Sequence, residues 1–360
     1  MTESEVLIDK HDGLGLITLN RPKAINALNH PMALAISAAL QAWVDDDEVR
    51  TVVVTGAGER GLCAGGDIVA IHNDAVALNS RSASAGAADA DSATGVFWRD
   101  EYILNAMVGR YPKPYVVIMD GIVMGGGVGL SGHGSHRIVT ERSKVGMPEV
   151  GIGFVPDVGG TYLLARTPGE IGTHAALTTA RMSAGDAIAA GFADYYVASE
   201  HIPALLETLR SEPADIAIAK FATDAPGSEL LAQRDWIDAC YSADTVEEIV
   251  DRLRAHGSPE AAKAATELLA KSPVALKVTL RSLRAARNAT SLESVLNEEY
   301  RVSIAALASH DLVEGIRAQV IDKDRNPQWS PATLAEVTTA QVDAYFVELG
   351  DKELGLEAGK

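Results

Sequence analysis

Apolar and polar positions alternate with a period of two over "LGLITLN" (14–20), which predicts a strand, and Pro22 ends it. The next period is different. From Met32 to Val44 apolar residues return every three to four positions, as on one face of a helix. "RTVVVTGAG" (50–58) is a β-branched run stopped by glycine and reads as a buried strand. The pattern then repeats, with a helix around Phe97–Val108 and strands over "KPYVVIMDG" (113–121) and "HRIVTERSKVGMPE" (136–149). Strands separated by helices and glycine-rich turns predict an α/β fold of stacked βα or ββα turns with right-handed crossovers.

After about residue 200 the strand pattern fades. "IPALLETLRSE", "TVEEIVDRLRAHG", "PEAAKAATELLAKSP" and "SLESVLNEEYRVSIAALA" all have helical periodicity. The expected organisation is therefore an α/β core over 1–200 and a helical C-terminal region over 201–360. The Ala-, Ser-, Asp- and Gly-rich stretch 73–95 reads as a mobile surface segment, either a tolerated insertion or a lid over a site.

Composition narrows the partners. A formal charge of −18 argues against nucleic acid, whose binding needs a basic face. The acidic run Asp45–Glu48 reads as a solvated loop after a helix. Apolar runs such as Tyr115–Met119 are too short to cross a bilayer, and "MTESEVLIDKHDGLGLITLNRP" has the marks of neither a signal nor a transit segment. Two cysteines, Cys63 and Cys240, make no disulfide framework, and a reducing cytoplasm is the expected location. Cys63 adjoins a glycine-rich turn without a His or base motif, which favours packing over a nucleophilic role.

Two glycine-rich turns follow strands: "GLCAGGDI" (61–68) and "MGGGVGLSGHG" (124–134). Glycine admits positive φ and close approach, so both turns can aim backbone N–H groups at a carbonyl oxygen, or can be tight packing turns only. Neither is a Walker loop, because no Gly-Lys-Ser/Thr follows, and "GLSGHG" lacks the spacing that would make Ser131 a nucleophile. His133 and His136 have no further ligands nearby, so no metal is expected. "MPEVGIGFVPDVGG" (147–160) then sets Glu149 and Asp157 among apolar residues, Gly and Pro. Burial beside Met147, Ile152 and Phe154 would raise the pKa of Glu149, and two close carboxylates would share a proton. Asp157 also suits the N-cap of a helix starting near Val158.

Taken in order, "LNRPKAINALN" (19–29), "CAGGD" (63–67), "DGIVMGGGVGLS" (120–131) and "MPEVGIGFVPDVGGTYLLAR" (147–166) resemble the enoyl-CoA hydratase/isomerase (crotonase) superfamily. "SADTVEEIVDRL" (242–253), "SPVALKVTLR" (272–281) and "HDLVEGIRAQVIDKDRNPQW" (310–329) bring the likeness closest to its 3-hydroxyisobutyryl-CoA hydrolase branch. The resemblance implies a crotonase-like spiral that binds acyl-CoA thioesters, with Gly66 and Gly126 N–H groups as the oxyanion hole. It implies Glu149 and Asp157 as catalytic carboxylates, and Ala64, Asp67, Gly125, Arg21 and Lys23 as substrate- or CoA-binding positions. Exposed surface charge is an equal account of Arg21 and Lys23, and Lys277 and Lys323 are further candidates for the CoA phosphates.

Hydratases of this family carry a second Glu two residues after the glycine triplet, where this chain has Gly129. The implied reaction is hydrolysis of 3-hydroxyisobutyryl-CoA in valine catabolism. Glu149 then acts as general base or attacks directly, and Asp157 orients the 3-hydroxyl, positions water or tunes Glu149. Hydratase or isomerase activity on the same fold is one alternative, and a non-catalytic acyl-CoA-binding protein is another. No cofactor is implied beyond the CoA of the substrate, and a homo-oligomer stays open.

Overall fold

The computed structural model describes residues 4–81 and 89–359. Its nine strands are β1 (Val6–His11), β2 (Gly13–Leu19), β3 (Val49–Gly56), β4 (Gly61–Cys63), β5 (Tyr115–Met119), β6 (Ile122–Met124), β7 (His136–Val139), β8 (Lys144–Gly146) and β9 (Tyr195–Tyr196). One sheet has the order β1-β2-β3-β5-β7-β9 and the other β4-β6-β8. Only β1 and β2 pair antiparallel; every other pairing is parallel. Each pass of the chain therefore lays one strand in each sheet, as β3/β4, β5/β6 and β7/β8 do. This is the expected α/β spiral of ββα turns.

The chain forms two compact units. The first comprises Met1–Gly66, Asp100–Gly146 and Arg181–Glu229, and the second Asp67–Arg99, Met147–Ala180 and Leu230–Lys360. The boundary expected at residue 200 is not the one compactness draws, although helices do prevail from Ile202 onward. In the first unit Leu14, Val53, Val116, Ile118 and Ile138 pack with Leu205, Leu209 and Ile218. Each such side chain contributes about 1.5–3 kcal/mol by leaving water.

The second unit has its own core, which includes Val150, Leu177, Tyr241, Leu253, Leu268 and Leu276. Its helices start where polar side chains accept the orphan N–H groups of the first turn. Thr245, Ser258, Ser272, Ser291 and Ser309 each cap a helix in this way, at roughly 1 kcal/mol apiece.

Two expectations need correction. The segment 136–149 is not one strand but β7 and β8, which lie in different sheets. Ser143 Oγ accepts the Thr140 N–H and Thr140 Oγ1 accepts the Arg142 N–H, and these side-chain bonds turn the chain between them. The stretch 73–95 is not all loop: after the first helix, α1 (His30–Trp43), helices α2 (Ile68–Arg81) and α3 (Ala93–Gly109) enter it from both ends. Residues 82–88, the middle of that expected mobile segment, lie outside the described residues.

Candidate active site

The first unit brings the two glycine turns together. The first turn follows β4, and the Leu28 N–H donates to Gly65 O at 2.8 Å, tying it to the segment after β2. The second turn follows β6 and enters the short helix α4 (Gly126–Ser131), whose N-cap is Gly125 at φ 49°. A Cβ on Gly126 would lie 3.5 Å from the Gly66 N and 2.6 Å from Glu101 Oε1. The Gly66 and Gly126 amides are thus neighbours at a spot without room for a side chain. Gly126 opens a helix, so its N–H has no intrahelical acceptor. Two such donors side by side are the arrangement that stabilises an oxyanion.

Glu101 was not among the residues the sequence singled out. It sits on α3 and is 2% exposed. Its spacing from Trp98 and Asn105 places a carboxylate on the apolar stripe of that helix, and this was the available signal. Gly129 lies buried within α4, which offers no carboxylate of its own. Ser131 Oγ donates to Gly127 O at 2.7 Å, a helix back-bond rather than a nucleophile's geometry. Cys63 is buried, and burial pushes its thiol up to about 12, which fits a packing role.

The second unit holds the carboxylates. Glu149 opens a 3-10 turn, Glu149–Ile152, that ends at Gly153 with φ 70°. That turn is seated by two glycines: a Cβ on Gly153 would meet Asp311 O at 2.1 Å, and one on Gly315 would meet Ile152 C at 2.3 Å. Phe154 stacks on Trp98 with centroids 5.2 Å apart. Glu149 is 6% exposed, and its Oε2 has no hydrogen-bond partner among the described residues. Burial pushes its carboxyl well above the ordinary value, and the charges of Asp157 and Glu299 push the same way.

Asp157, 5% exposed, does not cap a helix as expected. Val158 and Gly159 turn left-handed at φ 54° and 78°, and helix α5 (Gly160–Leu164) starts only after them with Gly159 as its N-cap. A β-branched residue in this region costs about 1–3 kcal/mol, so neighbouring contacts must hold it. The Gly160 N–H donates to Asp157 O at 2.6 Å across the turn, and Glu299, on the helix Leu292–Leu307, accepts the Gly159 N–H, the Thr161 N–H and the Thr161 hydroxyl. Burial pushes Glu299 up to about 8 while these donors pull it down. Glu299 was also missed, although it lies on the buried stripe of its helix with Val295, Leu296 and Val302.

Other candidates have local duties. Arg21 is half-buried, pairs with Glu5 at 3.1 Å and donates to Ala27 O at 2.6 Å, whereas Lys23 is exposed. The Ala64 N–H donates to Ile25 O at 3.0 Å, and the Gly125 N–H reaches Gly146 O at 3.4 Å. Asp67 Oδ1 accepts the Ala70 N–H in the first turn of α2. Lys277 pairs with Glu247 at 2.6 Å, and Lys323 is exposed. Among the described residues no cluster of His, Cys, Asp and Glu could hold a metal ion, and no helix is long and apolar enough to cross a membrane.

The first unit thus holds two neighbouring glycine amides after parallel strands, and the second a buried Glu–Asp pair on one segment, the two kinds of group that crotonase-type chemistry uses. The chain belongs to the enoyl-CoA hydratase/isomerase family, which matches residues 14–346. It is 43% identical to the mitochondrial 3-hydroxyisobutyryl-CoA hydrolase of Danio rerio over 98% of this chain and 92% of that protein. For the enzyme of the same name from Homo sapiens the identity is 41%, over 97% and 90%. Among solved structures, a carnitinyl-CoA dehydratase from Mycobacterium thermoresistibile is 54% identical, with a TM-score of 0.92 over 99% of this chain and all of that one. An enoyl-CoA hydratase from Rhodobacter sphaeroides is 42% identical, with a TM-score of 0.88 over 98% of this chain and all of that one.

Proposed function

We propose that this protein hydrolyses a 3-hydroxyacyl-CoA thioester, with 3-hydroxyisobutyryl-CoA as its substrate and 3-hydroxyisobutyrate and CoA as its products, a step of valine breakdown. The observation that carries the reading is the pairing of Glu149 with Asp157 on one buried segment, while Gly129 stands where a two-acid hydratase needs its other carboxylate. The Gly66 and Gly126 amides polarise the thioester carbonyl and hold the oxyanion; one such donor is worth about 3 kcal/mol of barrier. Glu149, its proton affinity raised by burial, takes a proton from the attacking water, or adds to the carbonyl to give a mixed anhydride that water then cleaves; on either route the C–S bond breaks and CoA leaves as the thiol. Asp157 faces the 3-hydroxyl and selects the acyl group. Arg21 and Lys23 serve the nucleotide end of CoA.

The test is thiol release from a panel of acyl-CoAs. Turnover greatest on 3-hydroxyisobutyryl-CoA supports the reading, and no release from any of them ends it. A second reading, hydration of an enoyl-CoA, draws support from Glu101, whose Oε1 reaches the Gly126 turn and could replace the acid missing at Gly129. Loss of conjugated enoyl-thioester absorbance without thiol release would select it. Both thiols are free and buried, which suits a reducing compartment such as the cytoplasm. Association into a homo-oligomer follows only from the family resemblance, and light scattering would decide it.

A further inference from the structure

Glu299 is a buried carboxylate to which the chemistry above gives no task. It is 2% exposed, and its two oxygens accept the Gly159 N–H at 2.6 Å, the Thr161 N–H at 2.9 Å and the Thr161 hydroxyl at 2.5 Å. These donors begin two residues after Asp157. Between them lies Val158, fully buried, β-branched and left-handed at φ 54°. A valine left to itself leaves that region. Asp157 O accepts the Gly160 N–H at 2.6 Å across the turn, and three bonds to one carboxylate fix its far side.

We propose that Glu299 is a positioning residue: it clamps the Gly159–Thr161 backbone, keeps Val158 left-handed and thereby aims the Asp157 carboxylate at the acyl group. The inference deepens the thioesterase reading and rests on it for the identity of that group. Its effect is also electrostatic, because the Glu299 charge acts on Glu149 and the Asp157 charge acts on both. The cations Arg281 and Arg301 act on Glu298, the preceding residue, whereas the largest influences on Glu299 are burial, its Thr161 and Gly159 donors and Asp157. The clamp is therefore made with the N–H and O–H donors of Gly159 and Thr161.

Three variants test this. E299Q is expected to lower kcat for the 3-hydroxyacyl-CoA on the order of 10²-fold with KM little changed, since misplacement of a reacting group is costly in rate. Its pH–rate profile should change only around and above pH 8, where Glu299 ionises and its charge would bear on Glu149. Adding V158G should restore much of kcat, since glycine keeps a left-handed turn without a clamp. T161V, nearly isosteric, removes one of the three bonds and should lower kcat several-fold even where E299Q fails to fold.

Wild-type kcat in both E299Q and T161V would overturn the proposal. So would a loss in E299Q with no rescue by V158G. If the unaltered protein releases no thiol from any acyl-CoA, the thioesterase reading falls by itself. The clamp is then judged by the crystal structure of E299Q, or of T161V if E299Q does not fold. Val158 that has left the left-handed region supports the clamp, and Val158 unmoved refutes it.

Discussion

The two units handle charge by opposite means. The first uses backbone: Gly66 and Gly126 present neighbouring amides, and a Cβ on Gly126 would meet Glu101 Oε1 at 2.6 Å. The second uses side chains: Glu149, Asp157 and Glu299 are buried carboxylates, and burial and neighbouring charge raise both Glu149 and Glu299. A backbone donor cannot titrate, so its contribution is constant with pH and depends on shape alone. A buried carboxylate keeps its shape under isosteric change but depends on pH. Geometry in one unit and protonation in the other are therefore separately breakable.

Replacing Glu149 should have the largest effect. E149Q keeps volume and removes the base, so thiol release should fall about 10⁴-fold while calorimetry still shows acyl-CoA binding. G126A comes next. Its methyl group collides with Glu101 and shifts one oxyanion donor, for a loss of about 10²–10³-fold in kcat at nearly constant KM. The two units would not differ as argued if G126A moved the pH–rate profile, or if E149Q left it intact. D157N should act on choice more than on rate. The kcat/KM ratio of 3-hydroxyacyl over unsubstituted acyl substrates should fall about ten- to a hundredfold, the worth of one charged hydrogen bond.

The smallest effect is on stability, and its sign follows from Glu149 binding its proton more tightly folded than unfolded. The stabilisation from that proton is complete below the ordinary value of 4.5 and is lost as pH rises through the raised folded value. E149Q, which stays neutral, escapes the loss. It should be about 1–2 kcal/mol more stable than the unaltered protein in urea unfolding above that value, and no more stable near pH 4. A destabilised E149Q at high pH would show that Glu149 is not held against its desolvation.

What could be read in the sequence follows the same division. The strands at 14–20, 50–58 and 113–121 and the helix after Pro31 show their period directly, and glycine marks the places where backbone must do the work. The β7–β8 turn was hidden because Thr140 and Ser143 bend the chain with hydroxyls rather than with Gly or Pro. Helix in 73–81 was hidden because Ala, Asn and Ser on a partly exposed helix look like a loop. Asp157 was read as a cap because its neighbours in sequence suit one, yet Val158 and Gly159 turn left-handed first. Glu299 binds residues 138 and 140 positions away, and no local pattern announces such a partner.

The seat of the Glu149 turn bears on any attempt to shorten this protein. Gly153 lies against Asp311, and Gly315 against Ile152, like a dovetail in which each part has been cut to admit the other. A version ending after the last strand would keep every strand and both glycine turns, yet it would leave this joint with one half. The smallest active form must therefore include the helix His310–Ile316, and a cleavage that removes it should silence the enzyme without touching a reacting group.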